Sequence, residues 1–105
     1  MRNAAVFLLV AIGCMASSSA LAEDQSALAD SKGCFACHQV SGVKVVGPAF
    51  NTIARKYAGD TAVESKLVDK VINGGVGVWG SMPMHAGNVN DEDALALVQW
   101  ILSLK

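Results

Sequence analysis

The sequence predicts a small all-α domain wrapped around a prosthetic group. Three observations predict it. Apolar residues recur at three- and four-residue spacing through the second half of the chain, with no alternation of strands and helices. Gly, Pro and capping residues punctuate that pattern at short intervals. The pentapeptide Cys34-Phe35-Ala36-Cys37-His38 puts two thiols and an imidazole on one turn.

The elements follow in order. Residues 24–32 predict a first helix with a weak apolar face at Ala27, Leu28 and Ser31, and Gly33 leads out of it. The pentapeptide comes next. C-x-x-C-H is the pattern at which haem becomes covalently attached. Two thiols three residues apart lie on one face of a helical turn, so both can form thioethers with the two vinyl groups of one porphyrin. His38 then sits under the ring and can supply a nitrogen to the iron. Residues 40–48 are loop, punctuated by Ser41-Gly42 and Gly47-Pro48. Residues 49–57 predict a short helix with Phe50, Ile53, Ala54 and Tyr57 at helical spacing. Thr61-Ala62-Val63-Glu64 matches a capping box for a helix reaching Asn73, stopped by Gly74-Gly75. Its apolar face is Val63, Leu67 and Val71, with Val68 and Ile72. Residues 74–89 are irregular and glycine-rich. Asn90 caps the last helix, and Asp91, Glu92 and Asp93 suit the dipole of its first turn. Leu97, Trp100, Ile101 and Leu104 form its buried stripe, broadened by Leu95, Val98 and Leu102.

Other readings of the cysteine pair are weaker. A dithiol redox pair needs a βαβ scaffold, which this chain does not predict. A zinc site needs four ligands. His85 can be a third, but no fourth Cys or His exists outside the N-terminal segment.

Residues 1–22 read as a secretory signal peptide, leaving a domain at 23–105. Arg2 is the positive n-region, residues 4–12 are the apolar run, and Ala20-Leu21-Ala22 is the cleavage site. The run is too short for a permanent membrane span. The minor alternative is a lipoprotein anchored at Cys14, since Ile12-Gly13-Cys14 resembles the end of a lipid-attachment site. Export agrees with haem attachment, because thioether-bound haem is made outside the cytoplasm. The expected location is the periplasm, after cleavage following Ala22. The domain holds seven basic and nine acidic residues, a net charge of −2. That excludes nucleic acid as a partner, since no basic stripe is present to release counterions. A domain this size is marginal as a bare core, so a large apolar cofactor is expected to complete it.

The iron has a sixth position, for which Met82, Met84 and His85 are the candidates in the glycine-rich segment. Gly33-Cys34-Phe35-Ala36-Cys37-His38, Val46-Gly47-Pro48-Ala49-Phe50, Asn73-Gly74, Gly77-Val78-Trp79-Gly80, Pro83-Met84 and Trp100 occur in that order. Together they resemble the short monohaem class I cytochromes c of bacteria, the kind that donate electrons to nitrite reductase. The resemblance covers the whole of 23–105 and implies that family's helical fold around one haem c. It implies Cys34 and Cys37 as attachments and His38 and Met84 as axial ligands. It also implies that the Pro48 carbonyl accepts a hydrogen bond from the other ring nitrogen of His38, and that Trp79 reaches a haem propionate. In two places the chain departs from the pattern. Lys70 stands where the family often has Arg, and Asn88 falls one residue later than the Asn that steadies the ligand sulfur.

The function expected is one-electron transfer in the periplasm, not enzymatic catalysis. The haem would shuttle electrons from a quinol-oxidising complex to a reductase, oxidase or peroxidase, as a monomer. Two rivals differ in class. Met82, Met84, His85 and the thiols can bind Cu(I) as a copper-handling protein. An open sixth position would instead make a haem sensor or an oxygenase-like enzyme.

Overall fold

The computed structural model describes residues 22–105. The expected signal peptide, Ala22 apart, and the alternative anchor at Cys14 lie outside the described residues. The described residues hold four α-helices: α1 Ser26–Ser31, α2 Phe50–Lys56, α3 Val63–Asn73 and α4 Asp91–Ser103. One 3₁₀ turn, Cys34–Ala36, follows α1. Among the described residues there is no strand, and an isolated antiparallel bridge pairs Gly75 with Met84. No helix among them is long and apolar enough to cross a membrane.

α4 is the hub. It packs against α2 and α3 and also touches α1. Its length suits that role, because it presents Ala94, Leu97, Val98, Trp100 and Ile101 as one buried stripe. Phe50 and Ile53 from α2 and Ala29 from α1 close on the same cluster. Its start is capped as expected: the Asn90 side-chain oxygen accepts the Asp93 N–H at 2.8 Å. Leu95 faces solvent, 38% exposed, so it does not broaden the stripe.

Three local expectations need correction. α1 is shorter than 24–32, because Asp24 stands outside it and accepts the Ser26 N–H at 2.8 Å. That hydrogen bond holds the Asp24 carboxyl below its ordinary pKa. The residue that α1 buries is Ala29, while Ala27 is exposed. A small side chain is what lets so short a helix approach the core closely.

The capping box at Thr61 does not form. α3 begins at Val63 after Ala62, with no side chain capping it. Asp60 acts instead, accepting the Ala62 N–H at 3.0 Å. An Asp side chain naturally reaches the N–H two residues on, and this turn competes with the longer-range box. α2 starts more simply. Pro48 is buried, Ala49 is extended at ψ 146°, and Arg55 and Lys56 sit in the last turn, where cations suit the dipole.

These two helix starts predict opposite responses. Asn90→Ala should cost about 1 kcal/mol of stability in denaturant unfolding of the haem-loaded protein. Thr61→Ala should stay within about 0.5 kcal/mol of the parent, since its hydroxyl caps nothing. Equal losses at the two sites would restore the capping box.

Candidate haem site

The site begins where α1 ends. Gly33 takes a left-handed φ of 77°, which turns the chain into the 3₁₀ turn. In a 3₁₀ helix residues three apart eclipse one another, so Cys34 and Cys37 share a side. The turn is closed by Cys37 N–H and His38 N–H, which both donate to the Cys34 carbonyl, at 3.2 and 3.0 Å. Both thiols are free and half-buried. Burial pushes the Cys34 thiol pKa up, with a backbone hydrogen bond opposing it.

His38 is held from three directions. Its Nδ1 lies 2.7 Å from the Pro48 carbonyl oxygen. A carbonyl only accepts, so Nδ1 carries the proton and Nε2 keeps the lone pair. The ring stacks on Phe50 with centroids 5.1 Å apart and planes 27° apart. Gly47 lies behind it: a Cβ there would stand 2.5 Å from the His38 Cε1. The two segments are also laced through the backbone. Gly47 N–H donates to the Cys37 carbonyl and Phe50 N–H to the Gln39 carbonyl, each at 2.8 Å.

Phe50 links this corner to the core. Its ring meets Trp100 edge-on, with centroids 5.7 Å apart and planes at 77°. The sequence pattern marks Phe50 only as a core residue and Gly47 only as punctuation. Their place against His38 depends on how the 40–48 loop folds back, which spacing alone does not encode.

Met84 is on the glycine-rich loop. Its N–H donates to the Gly75 carbonyl at 2.7 Å and its carbonyl accepts the Gly75 N–H at 3.0 Å. Gly74 makes this pairing possible. Its φ of 76° and ψ of −172° belong to a region only glycine visits freely, and a Cβ there would collide with the Met84 carbonyl oxygen. Met82 has no such pairing and is 65% exposed, against 38% for Met84. Trp79 is half-buried beside the core. His85 and Asn88 are exposed. Lys70 extends over Gly75, where a Cβ would stand 2.7 Å from its Nζ.

The residues fit a flat apolar group. Nine large hydrophobic side chains are exposed among the described residues, and eight of them lie at 40–46 and 76–84. The first stretch follows His38 in the chain and the second carries Met84, so exposed apolar surface is concentrated on the two loops that bear the candidate ligands. A zinc site does not fit: no group of three or more His, Cys, Asp or Glu among the described residues is placed to hold a metal ion.

Comparison with known proteins agrees with this chemistry. The family profile "Cytochrome c" matches residues 22–105. The chain is 54% identical to cytochrome c2 of Rhodocyclus tenuis over 87 residues, covering 78% of this chain and 94% of that one. It is 41% identical to cytochrome c-551 of Pseudomonas aeruginosa over 105 residues, the full length of both. The crystal structure of wild-type Nitrosomonas europaea cytochrome c552 superposes with a TM-score of 0.71 at 50% identity, covering 75% of this chain and 98% of that one. With its C-x-x-C-H turn, helical frame and apolar loops accounted for, the chain belongs to the cytochrome c family, as a small class I electron carrier with one haem covalently bound through Cys34 and Cys37.

Proposed function

We propose that this cytochrome is a periplasmic, monomeric one-electron carrier whose haem iron is ligated by His38 and Met84, and that it is not an enzyme. The observation that carries the reading is that the His38 ring and the Met84 main chain are both held by backbone groups. The Pro48 carbonyl orients the His38 ring, and paired hydrogen bonds to Gly75 hold the Met84 backbone. If His38 and Met84 both ligate the iron, no coordination position would be left for a substrate. When bound, the haem supplies the Fe(II)/Fe(III) couple, and a thioether ligand favours the reduced state.

The chain's own residues do the rest. Pro48 fixes which nitrogen of His38 is free and raises its basicity. Val46 and Val76 would help to exclude water from the ring. Trp79 would donate its indole N–H to a propionate, and Lys70 would offer that propionate a single charge where Arg would offer two hydrogen bonds. Asn88 is exposed. In this reading it does not steady the Met84 sulfur, while the Met84 main chain is held by its pairing with Gly75.

Partners are redox proteins: on the acceptor side a nitrite reductase, cytochrome oxidase or peroxidase, on the donor side a quinol-oxidising complex. They would meet an apolar ring at Val43, Val45 and Val78, bordered by Lys32 and Lys44. Val43 is 75% exposed and leads this surface. The few charges imply a modest salt dependence of transfer rates. Export follows from the segment ending at Ala22.

A reduced-minus-oxidised visible spectrum is the first test, since sharp haem bands separate this reading from copper binding. Met84→Ala should keep the haem attached, remove the weak long-wavelength ferric band of sulfur–iron ligation, lower the potential and admit carbon monoxide. Met82→Leu should keep the band and shift stability by no more than about 0.5 kcal/mol, as expected for an exposed side chain. The reverse pattern would make Met82 the ligand. Gly74→Ala should destabilise by about 1–3 kcal/mol, since it strains the backbone that carries Met84. It should also weaken the sulfur–iron band while leaving the thioether bonds intact.

A further inference from the structure

Trp79 sits in a turn that does little to hold it. The turn is closed by one hydrogen bond, Gly77 N–H to the Gly80 carbonyl at 3.1 Å, between glycines at φ 109° and 127°. Glycines at both ends leave the backbone free to pivot. Besides its packing at the edge of the core, Trp79 is reached by a pair of lysines. Lys44 Nζ donates to the Trp79 carbonyl at 2.6 Å, from 35 residues away in the chain. Lys56 Nζ, at the end of α2, lies 5.3 Å from the centroid of the Trp79 ring. The same ammonium is 5.7 Å from the Tyr57 ring, so two aromatic rings share one cation.

We infer that Lys44 and Lys56 form a two-point clamp on Trp79, Lys44 positioning its backbone and Lys56 its indole ring. The two contacts differ in kind. A charge-assisted hydrogen bond fixes a point, whereas a cation over a ring fixes a plane. A point and a plane together define the orientation of a flat side chain, which neither contact does alone. The clamp also ties the glycine-rich loop to α2, whose first residue, Phe50, lies against His38. The two sides of the haem site are thereby braced through one helix. The clamp rests on these contacts; its effect on the haem edge rests on the proposed placement of the Trp79 indole N–H.

The test uses the haem-loaded protein in its reduced, diamagnetic form. Hydrogen exchange of the indole N–H of Trp79 and of Trp100 is followed by NMR in the parent, Lys56→Met, Lys56→Arg and Lys44→Met. Met keeps the length of the stem and removes the charge; Arg keeps a cation on the ring. Exchange at Trp79 should speed up about two- to five-fold in each Met variant and stay at the parent rate in Lys56→Arg, for a cation–π contact at an exposed site. Trp100, buried in the core, should not change. If either Met variant leaves Trp79 at the parent rate, or if Trp79 and Trp100 accelerate together, the clamp does not exist. Failure of Lys56→Arg to restore the rate also overturns it. The sulfur–iron band is recorded on the same samples after reoxidation to the ferric form. Its absence from the parent would sink the Met84 ligation, while the exchange pattern still decides the clamp.

Discussion

The hydrogen bond from His38 Nδ1 to the Pro48 carbonyl is the contact on which the site depends. At 2.7 Å it fixes a tautomer and an orientation together. Pro is well suited to offer that carbonyl. It has no N–H of its own to satisfy, its φ is set, and it is buried where the loop turns into α2. The ring can come so near only because Gly47 has no side chain. One bond therefore accounts for Gly47, for Pro48 and for the start of α2 at Phe50.

From that corner, order passes inward through aromatic rings. His38 stacks on Phe50, Phe50 meets Trp100 edge-on, and Phe35 leans on Phe50 with centroids 6.0 Å apart. Trp100 belongs to α4, which gathers the other helices. A chain this short cannot bury much apolar surface by itself. The valines at 43, 45, 76 and 78 show it: they lie on loops with no helix over them. A cofactor that binds only the folded chain stabilises it, so haem binding and folding reinforce each other.

Much of this was legible in the sequence, and the exceptions share a cause. The turn at Cys34, the cap at Asn90 and the α4 stripe are written in residues a few positions apart, so local spacing reveals them. Thr61 misled because Asp60, one residue earlier, offers the backbone a shorter turn that satisfies the same need. Ala29 was missed because a short helix with one buried methyl carries almost no periodic signal. Gly47 and Phe50 flank Pro48 in plain view, but their contact with His38 depends on a loop folding back across nine residues or more. The pairing of Gly75 with Met84 is likewise non-local, and no spacing in the sequence marks it.

The loop that carries Met84 has a further property. Its entry is fastened by Gly74 N–H to the Lys70 carbonyl at 2.8 Å, and its exit by Gly87 N–H to the Val71 carbonyl at 2.9 Å. Those carbonyls are neighbours on the last turn of α3, so the loop leaves and returns at one place, in the manner of an Ω-loop. Such a segment is a cassette. Its length and sequence can change while the helical frame stays in register, because doubling a loop costs only about 0.6 kcal/mol in closure entropy. Variation in length and sequence can accumulate between Gly74 and Gly87 without disturbing the fold that binds the cofactor.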